Sequence, residues 1–146
     1  MTKVSFYRLN NNLTPLRFVC SLVKKAHDAN RQVLCQVPNQ QVANSLDKLL
    51  WTNDIVSFLP HGIGSASMPI AISNDPLPGE HYQLLINLCN EIPEWFSRFE
   101  RIIEIVGSDI KERNFKRANF QFYNDRGYPL AFFDLTKETK SEEPEI

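Results

Sequence analysis

Short apolar runs alternating with amphipathic stretches set the limits on what this chain can fold into. Val4 to Leu9 alternates in the manner of a strand, and Asn10-Asn11-Asn12 supplies turn chemistry before Pro15, which suits the first turn of a helix. From Leu16 to Ala29, the residues Leu16, Val19, Cys20, Val23 and Ala26 recur at helical spacing, with Lys24, Lys25 and Asp28 outside that stripe. Arg31 to Val37 reads as a second buried strand. Pro38-Asn39 then opens a helix running through Trp51, with Val42, Ala43, Leu46, Leu49 and Leu50 turned inward. Parallel strands need long crossovers, usually helical, so strand, helix, strand, helix predicts an α/β domain with a mostly parallel sheet.

The middle of the chain is less regular. A short strand is expected at Ile55 to Leu59, a loop from Pro60 to Met68, and a further strand at Pro69 to Ile72; Asn74 to Gly79 is a turn cluster. Gln83 to Asn87 reads as a strand, Pro93 to Arg98 as a helix start, and Arg101 to Val106 as a strand with a solvated Glu104. Ile110 to Tyr123 is the last long helix, stopped near Gly127, and Tyr128 to Leu135 is the final strand. The expected division is a domain over 1–136 and an acidic flexible tail over 137–146, Lys-Glu-Thr-Lys-Ser-Glu-Glu-Pro-Glu-Ile, which cannot bury itself.

With 146 residues, 42% hydrophobic and 11% aromatic, the chain can build one core without metals or disulfides. A net charge of −1 leaves no overall positive field to gather phosphates, which disfavours strong unspecific binding to duplex nucleic acid. Cys20, Cys35 and Cys89 are odd in number and widely spaced in apolar contexts, and read as reduced core thiols. No run approaches the ~18 apolar residues of a membrane span, and Met1-Thr-Lys-Val-Ser-Phe reads as a strand rather than a signal peptide, so a cytoplasmic protein with no membrane partner is expected.

The usual marks of catalysis are missing. There is no phosphate-cradling P-loop, and Gly62-Ile-Gly64 runs into Ser65-Ala66-Ser67 instead of a third glycine opening a helix. His27, His61 and His81 lack metal spacing, and Ser57 and Ser65 lack a nucleophile elbow. The expectation is a binding module with no catalytic residues, no metal and no cofactor. The alternative is a small α/β enzyme or nucleotide-binding protein. Direct binding of single-stranded DNA has the aromatics it needs but lacks a continuous basic groove.

Leu50 to His61 is hard to explain by folding alone. Trp51 at a helix end, beside the corner Phe58-Leu59-Pro60-His61, leaves large apolar area on short connections near the surface. Placing Trp51 and Phe58 in the core is the competing explanation. Leu50-Trp51, Ser57-Phe58-x-Pro60-His61, the opening Phe6-Tyr7-x-Leu9, the pair Arg113-x-x-x-Arg117 and Gly127-Tyr128-x-Leu130 together resemble the chi subunit family of bacterial DNA polymerase III, from about residue 4 to 135.

That resemblance implies a single three-layer Rossmann-like domain with a mostly parallel central sheet and helices on both faces. It also implies a non-enzymatic clamp-loader accessory at the replication fork, touching DNA only indirectly. Two protein partners are implied: the psi subunit and single-stranded DNA-binding protein. The psi subunit would dock on Trp51, Phe58, Pro60 and His61, although a His after Pro equally serves as a turn-stabilising donor. Left uncovered, the Trp51/Phe58 surface would allow weak self-association.

In the last long helix, 100° per residue places Phe115, Ala118 and Phe122 on an expected core stripe. Arg113, Arg117 and Phe120 cluster on roughly the opposite side, with Lys116 at their margin. A plain solvated face explains the charges but not Phe120. Guanidiniums beside an apolar floor suit a peptide that ends in a hydrophobic residue with a free carboxylate and is preceded by acids. The acidic C-terminal tail of single-stranded DNA-binding protein fits that description, and the resemblance implies its pocket here. Arg117 would meet the terminal carboxylate and Arg113 the acidic part, while Phe120 supplies the aromatic and Val106 lines the floor. Gln121 stands where the family has a basic residue. The chain's own Glu142-Glu143-Pro144-Glu145-Ile146 resembles such a ligand and could compete for the pocket; a solvated tail is the plainer reading.

Overall fold

In the computed structural model, which describes residues 1–53, 58–64 and 68–136, the chain folds as an α/β domain. Its elements are β1 (Lys3–Arg8), α1 (Pro15–Asp28), β2 (Val33–Gln36), α2 (Gln40–Thr52), β3 (His61–Ile63), β4 (Ile70–Ser73), β5 (Leu84–Asn87), β6 (Arg101–Val106), α3 (Ile110–Asp125) and β7 (Leu130–Asp134), with one 3-10 turn at Phe96–Arg98. Seven strands form one sheet in the order β3-β4-β2-β5-β6-β1-β7, and every pairing is parallel.

Local chemistry accounts for where the helices begin. Thr14 Oγ1 accepts from Arg17 N ahead of Pro15, and Asn39 Oδ1 accepts from Val42 N at 2.9 Å. Asp109 Oδ1 accepts from Lys111 N and Glu112 N at the head of α3, and Gly127, at φ 76°, turns the chain out of it. Alternation along the strands then feeds two cores. Tyr7, Val33, Cys35 and Ile103 pack with Val19, Val23, Ala43 and Leu46 under α1 and α2. On the other face Phe6, Leu34 and Ile102 pack with Phe96, Phe99 and Tyr123 under α3 and the 3-10 turn. The result is a three-layer Rossmann-like arrangement.

Several expectations are corrected. The strand expected over Ile55 to Leu59 falls partly on 54–57, outside the described residues, while Phe58 and Leu59 lie in a turn and bend. A strand occurs instead within the expected loop, where His61, Gly62 and Ile63 pair with Ile70, Ala71 and Ile72; three residues are too few to show a period. Pro93 to Arg98 yields only the 3-10 turn. Cys20 and Cys35 are buried and Cys89 is half-buried, all three free. Glu104 is not solvated: it is fully buried, because both faces of a parallel sheet are covered.

The stripe of α3 is also rotated from its expected phase. Phe115 is 46% exposed and Ala118 is exposed, whereas Lys116, Asn119 and Tyr123 are the buried residues. Polar groups presented by the sheet select this face. Among the described residues no helix is long and apolar enough to cross a membrane.

Candidate functional site

Helix α3 is fixed to the sheet by charge and hydrogen bonds. Lys116 Nζ donates to Glu104 Oε1 at 2.6 Å, to Cys89 O at 2.7 Å and to Asn87 O at 3.3 Å. Glu104 Oε2 accepts from Asn87 Nδ2 and from the Tyr123 hydroxyl, each at 3.0 Å. Burial and the Glu104 carboxylate hold the Tyr123 hydroxyl neutral, its pKa well above the ordinary phenol range. Asn119 Nδ2 donates to Asn90 O one turn further along. With those side chains pointing down, one flank of α3 is turned towards β1 and β7.

A cavity of about 380 Å³ opens along that flank, lined by Phe6, Arg8, Val106, Arg113, Lys116, Arg117, Phe120, Gln121 and Phe132. Every residue expected for the acidic-peptide pocket, Val106, Arg113, Arg117, Phe120 and Gln121, lies on this one wall. The floor is aromatic and set edge to face: Phe6 and Phe120 have ring centroids 5.3 Å apart, and Phe120 and Phe132 6.3 Å. Phe120 therefore belongs to the sheet-facing side of the helix rather than to an outward cluster. Arg113 is oriented by its Nε–H donating to Gly107 O at 3.1 Å, and Gln121 Nε2 donates to Asp125 Oδ1 at 2.6 Å. Arg117 is exposed and makes no hydrogen bond or ion pair among the described residues.

Phe6, Arg8 and Phe132 are lining residues that the sequence did not reveal, whereas Lys116 was expected at the margin of the arginine cluster. Phe6 and Arg8 share one face of β1, but which strands flank β1 is not written in its own residues. The register supplies the answer: Phe6 stands beside Glu104 and Phe132, and Arg8 beside Val106 and Asp134.

The second expected surface lies at the opposite end of the sheet. Trp51 is 59% exposed and Phe58 94%, with Pro60 exposed between Phe58 and β3, so placing these aromatics in the core is incorrect. His61 differs from its neighbours in being buried. Its ring lies 4.6 Å from that of Trp51, its Nδ1 is 2.7 Å from Leu59 O, and its Nε2 is 3.8 Å from Asp47 Oδ1. A carbonyl can only accept, so Nδ1–H donates and closes the turn beneath Trp51.

A third crevice, of about 600 Å³, lies at the carboxyl edge of the sheet, where Rossmann-like folds hold nucleotides. Pro15, Leu16, Pro38, Val42, Leu49 and Leu88 make much of its wall, and Pro38 stands after β2 where a phosphate loop would need glycine. Ser57, Ser65 and the tail from Glu142 to Ile146 lie outside the described residues.

Comparison with known proteins adds a separate line of observation. The family described as "DNA polymerase III chi subunit, HolC" matches residues 1–131. A protein of Pseudomonas aeruginosa named DNA polymerase III subunit chi is 34% identical over 134 residues, covering 89% of this chain and 94% of that protein. The protein of the same name from Haemophilus influenzae is 30% identical over 133 residues, covering 86% and 92%. That of Escherichia coli K12 is 22% identical over 142 residues, covering 89% and 96%.

Proposed function

The chain belongs to the DNA polymerase III chi subunit family, and from that premise we propose that it is a non-catalytic replication adaptor joining the acidic tail of single-stranded DNA-binding protein to the psi subunit of the clamp loader. The tail occupies the α3 pocket. Its terminal carboxylate meets Arg117, its last apolar side chain rests on Phe120 and Val106, and Arg113 faces the acids before it. The observation that carries this reading is the Arg117 guanidinium, unpaired among the described residues at the edge of an aromatic-floored cavity. Such a group gains a charge-assisted bond from a carboxylate without giving up one of its own.

With few contacting side chains, affinity is on the order of micromolar and falls with salt. The psi subunit is met by Trp51, Phe58 and Pro60, with His61 seating Trp51 from beneath. Titration of a labelled acidic peptide ending in Phe, read by fluorescence anisotropy, tests the first contact. Binding by the wild type and its loss in Arg117→Ala are expected; equal affinities would refute the assignment. Capture of the psi subunit by the wild type and not by Trp51→Ala tests the second.

A further inference from the structure

Arg8 occupies an uncommon place for a cation. It ends β1, between Val106 of β6 and Asp134 of β7 in register, and its side chain lines the α3 cavity with Phe6 and Phe132. Its Nε is buried and has no hydrogen-bond partner among the described residues. A guanidinium cannot shed its proton to escape that position, so the N–H stays unsatisfied until an acceptor enters. The adjacent acid does not supply one: Asp134 Oδ1 accepts from Thr136 N at 2.9 Å and from the Thr136 hydroxyl.

Other cations around the cavity are engaged differently. Lys116 is held by Glu104 and two backbone carbonyls, and Arg113 points its Nε–H at Gly107 O. Among the described residues two guanidiniums are left wanting an acceptor, Arg117 on the helix and Arg8 on the sheet. Repulsion between like charges around an apolar floor is relieved best by a ligand bringing more than one negative group.

We infer that Arg8 is a binding residue of this pocket: its guanidinium takes a second carboxylate of the ligand, so that the site selects a peptide carrying two anionic groups around one apolar side chain. This rests on the reading of the pocket as an acidic-peptide site. Arg8 differs from Arg113 and Arg117 in coming from the sheet, so it is rigidly placed and acts on the part of the ligand nearest the floor.

The test uses the full chain and three labelled peptides: an acidic peptide ending in Phe with a free carboxylate, its C-terminal amide, and a form whose acidic side chains are replaced by amides. Arg8→Met is expected to weaken the first peptide about tenfold, the scale of a lost charge-assisted contact, and to flatten its salt dependence. It is expected to leave unchanged the affinity for whichever altered peptide lacks the carboxylate that Arg8 takes. Arg8→Lys keeps the charge without the fork and recovers part of the loss. Should Arg8→Met fold poorly by circular dichroism, Arg8→Lys with the same three peptides carries the test, with a loss expected only for the peptides that keep the carboxylate Arg8 takes. If Arg8 variants bind all three peptides like the wild type while Arg117→Ala does not, Arg8 has no such role and the pocket reading stands. If Arg117→Ala also binds normally, the pocket reading falls with it.

Discussion

Lys116 Nζ lies 2.6 Å from Glu104 Oε1, with Glu104 fully buried and Lys116 nearly so. The pair clamps the helix of the candidate pocket to the middle of the sheet. Removing one member leaves an uncompensated charge inside the protein, so Glu104→Gln is expected to cost about 3–5 kcal/mol in urea unfolding. Glu104→Gln with Lys116→Met is expected to restore much of that, because it removes both charges. A single variant within about 1 kcal/mol of wild type would show that the apolar contacts of Phe120 and Tyr123 hold α3 on their own.

Arg117→Ala is expected to weaken binding of an acidic, Phe-terminated peptide by about 1.5–3 kcal/mol, the range of a lost charge-assisted bond. Its melting temperature should match the wild type, since Arg117 is exposed and partnerless among the described residues. Raising the salt should narrow the difference between the two proteins. Isothermal titration at two ionic strengths reads both effects.

Phe58 is 94% exposed, so Phe58→Ser should alter stability by no more than about 0.5 kcal/mol while weakening capture of the psi subunit. Trp51→Ala should lower both stability and capture, because the Trp51 ring lies against His61, 4.6 Å away, and its loss bares that buried side chain. Thermal shift and co-purification measure the two properties separately.

Burial disfavours the thiolate and pushes Cys35 up to about 12, with Cys20 adding to the effect; burial raises Cys89 to about 11, partly offset by Lys116. The folded state therefore holds these protons at pH values where the unfolded chain, near 9, has lost them. Their stabilising contribution is complete below pH 9 and is lost as pH rises through 11 to 12. Unfolding midpoints should fall across that window, and less so in Cys35→Ala with Cys89→Ala. At pH 8 all three thiols should react slowly with iodoacetamide in the folded state.

Much of the fold was legible because α1 and strands β1, β2, β5 and β6 carry their apolar pattern locally. The errors at Glu104 and Lys116 share one origin. Each residue alone looks like a surface position, and each is buried only because the other is there. A helix whose inward stripe is Lys116, Asn119 and Tyr123 has a periodicity that hydrophobicity cannot report, so Phe115 and Ala118 were drawn to the wrong side. The cavity lining was legible where it is local: helix spacing grouped Arg113, Arg117 and Phe120, and the family resemblance added Val106 and Gln121. Phe6, Arg8 and Phe132 were not, since only the parallel register of β1 with β7 brings them there.

Among the described residues β1 is the first strand and β7 the last, yet they are neighbours in the sheet, and the cavity takes walls from both. Synthesis delivers residues in order, with the N-terminal parts emerging first. While residues 130–134 are still to come, a growing chain can have α3 and its arginines but not the Phe132 wall. The cavity is complete only once β7 is made, so under the proposed function truncated products lacking that strand are expected to bind the acidic peptide more weakly than whole molecules.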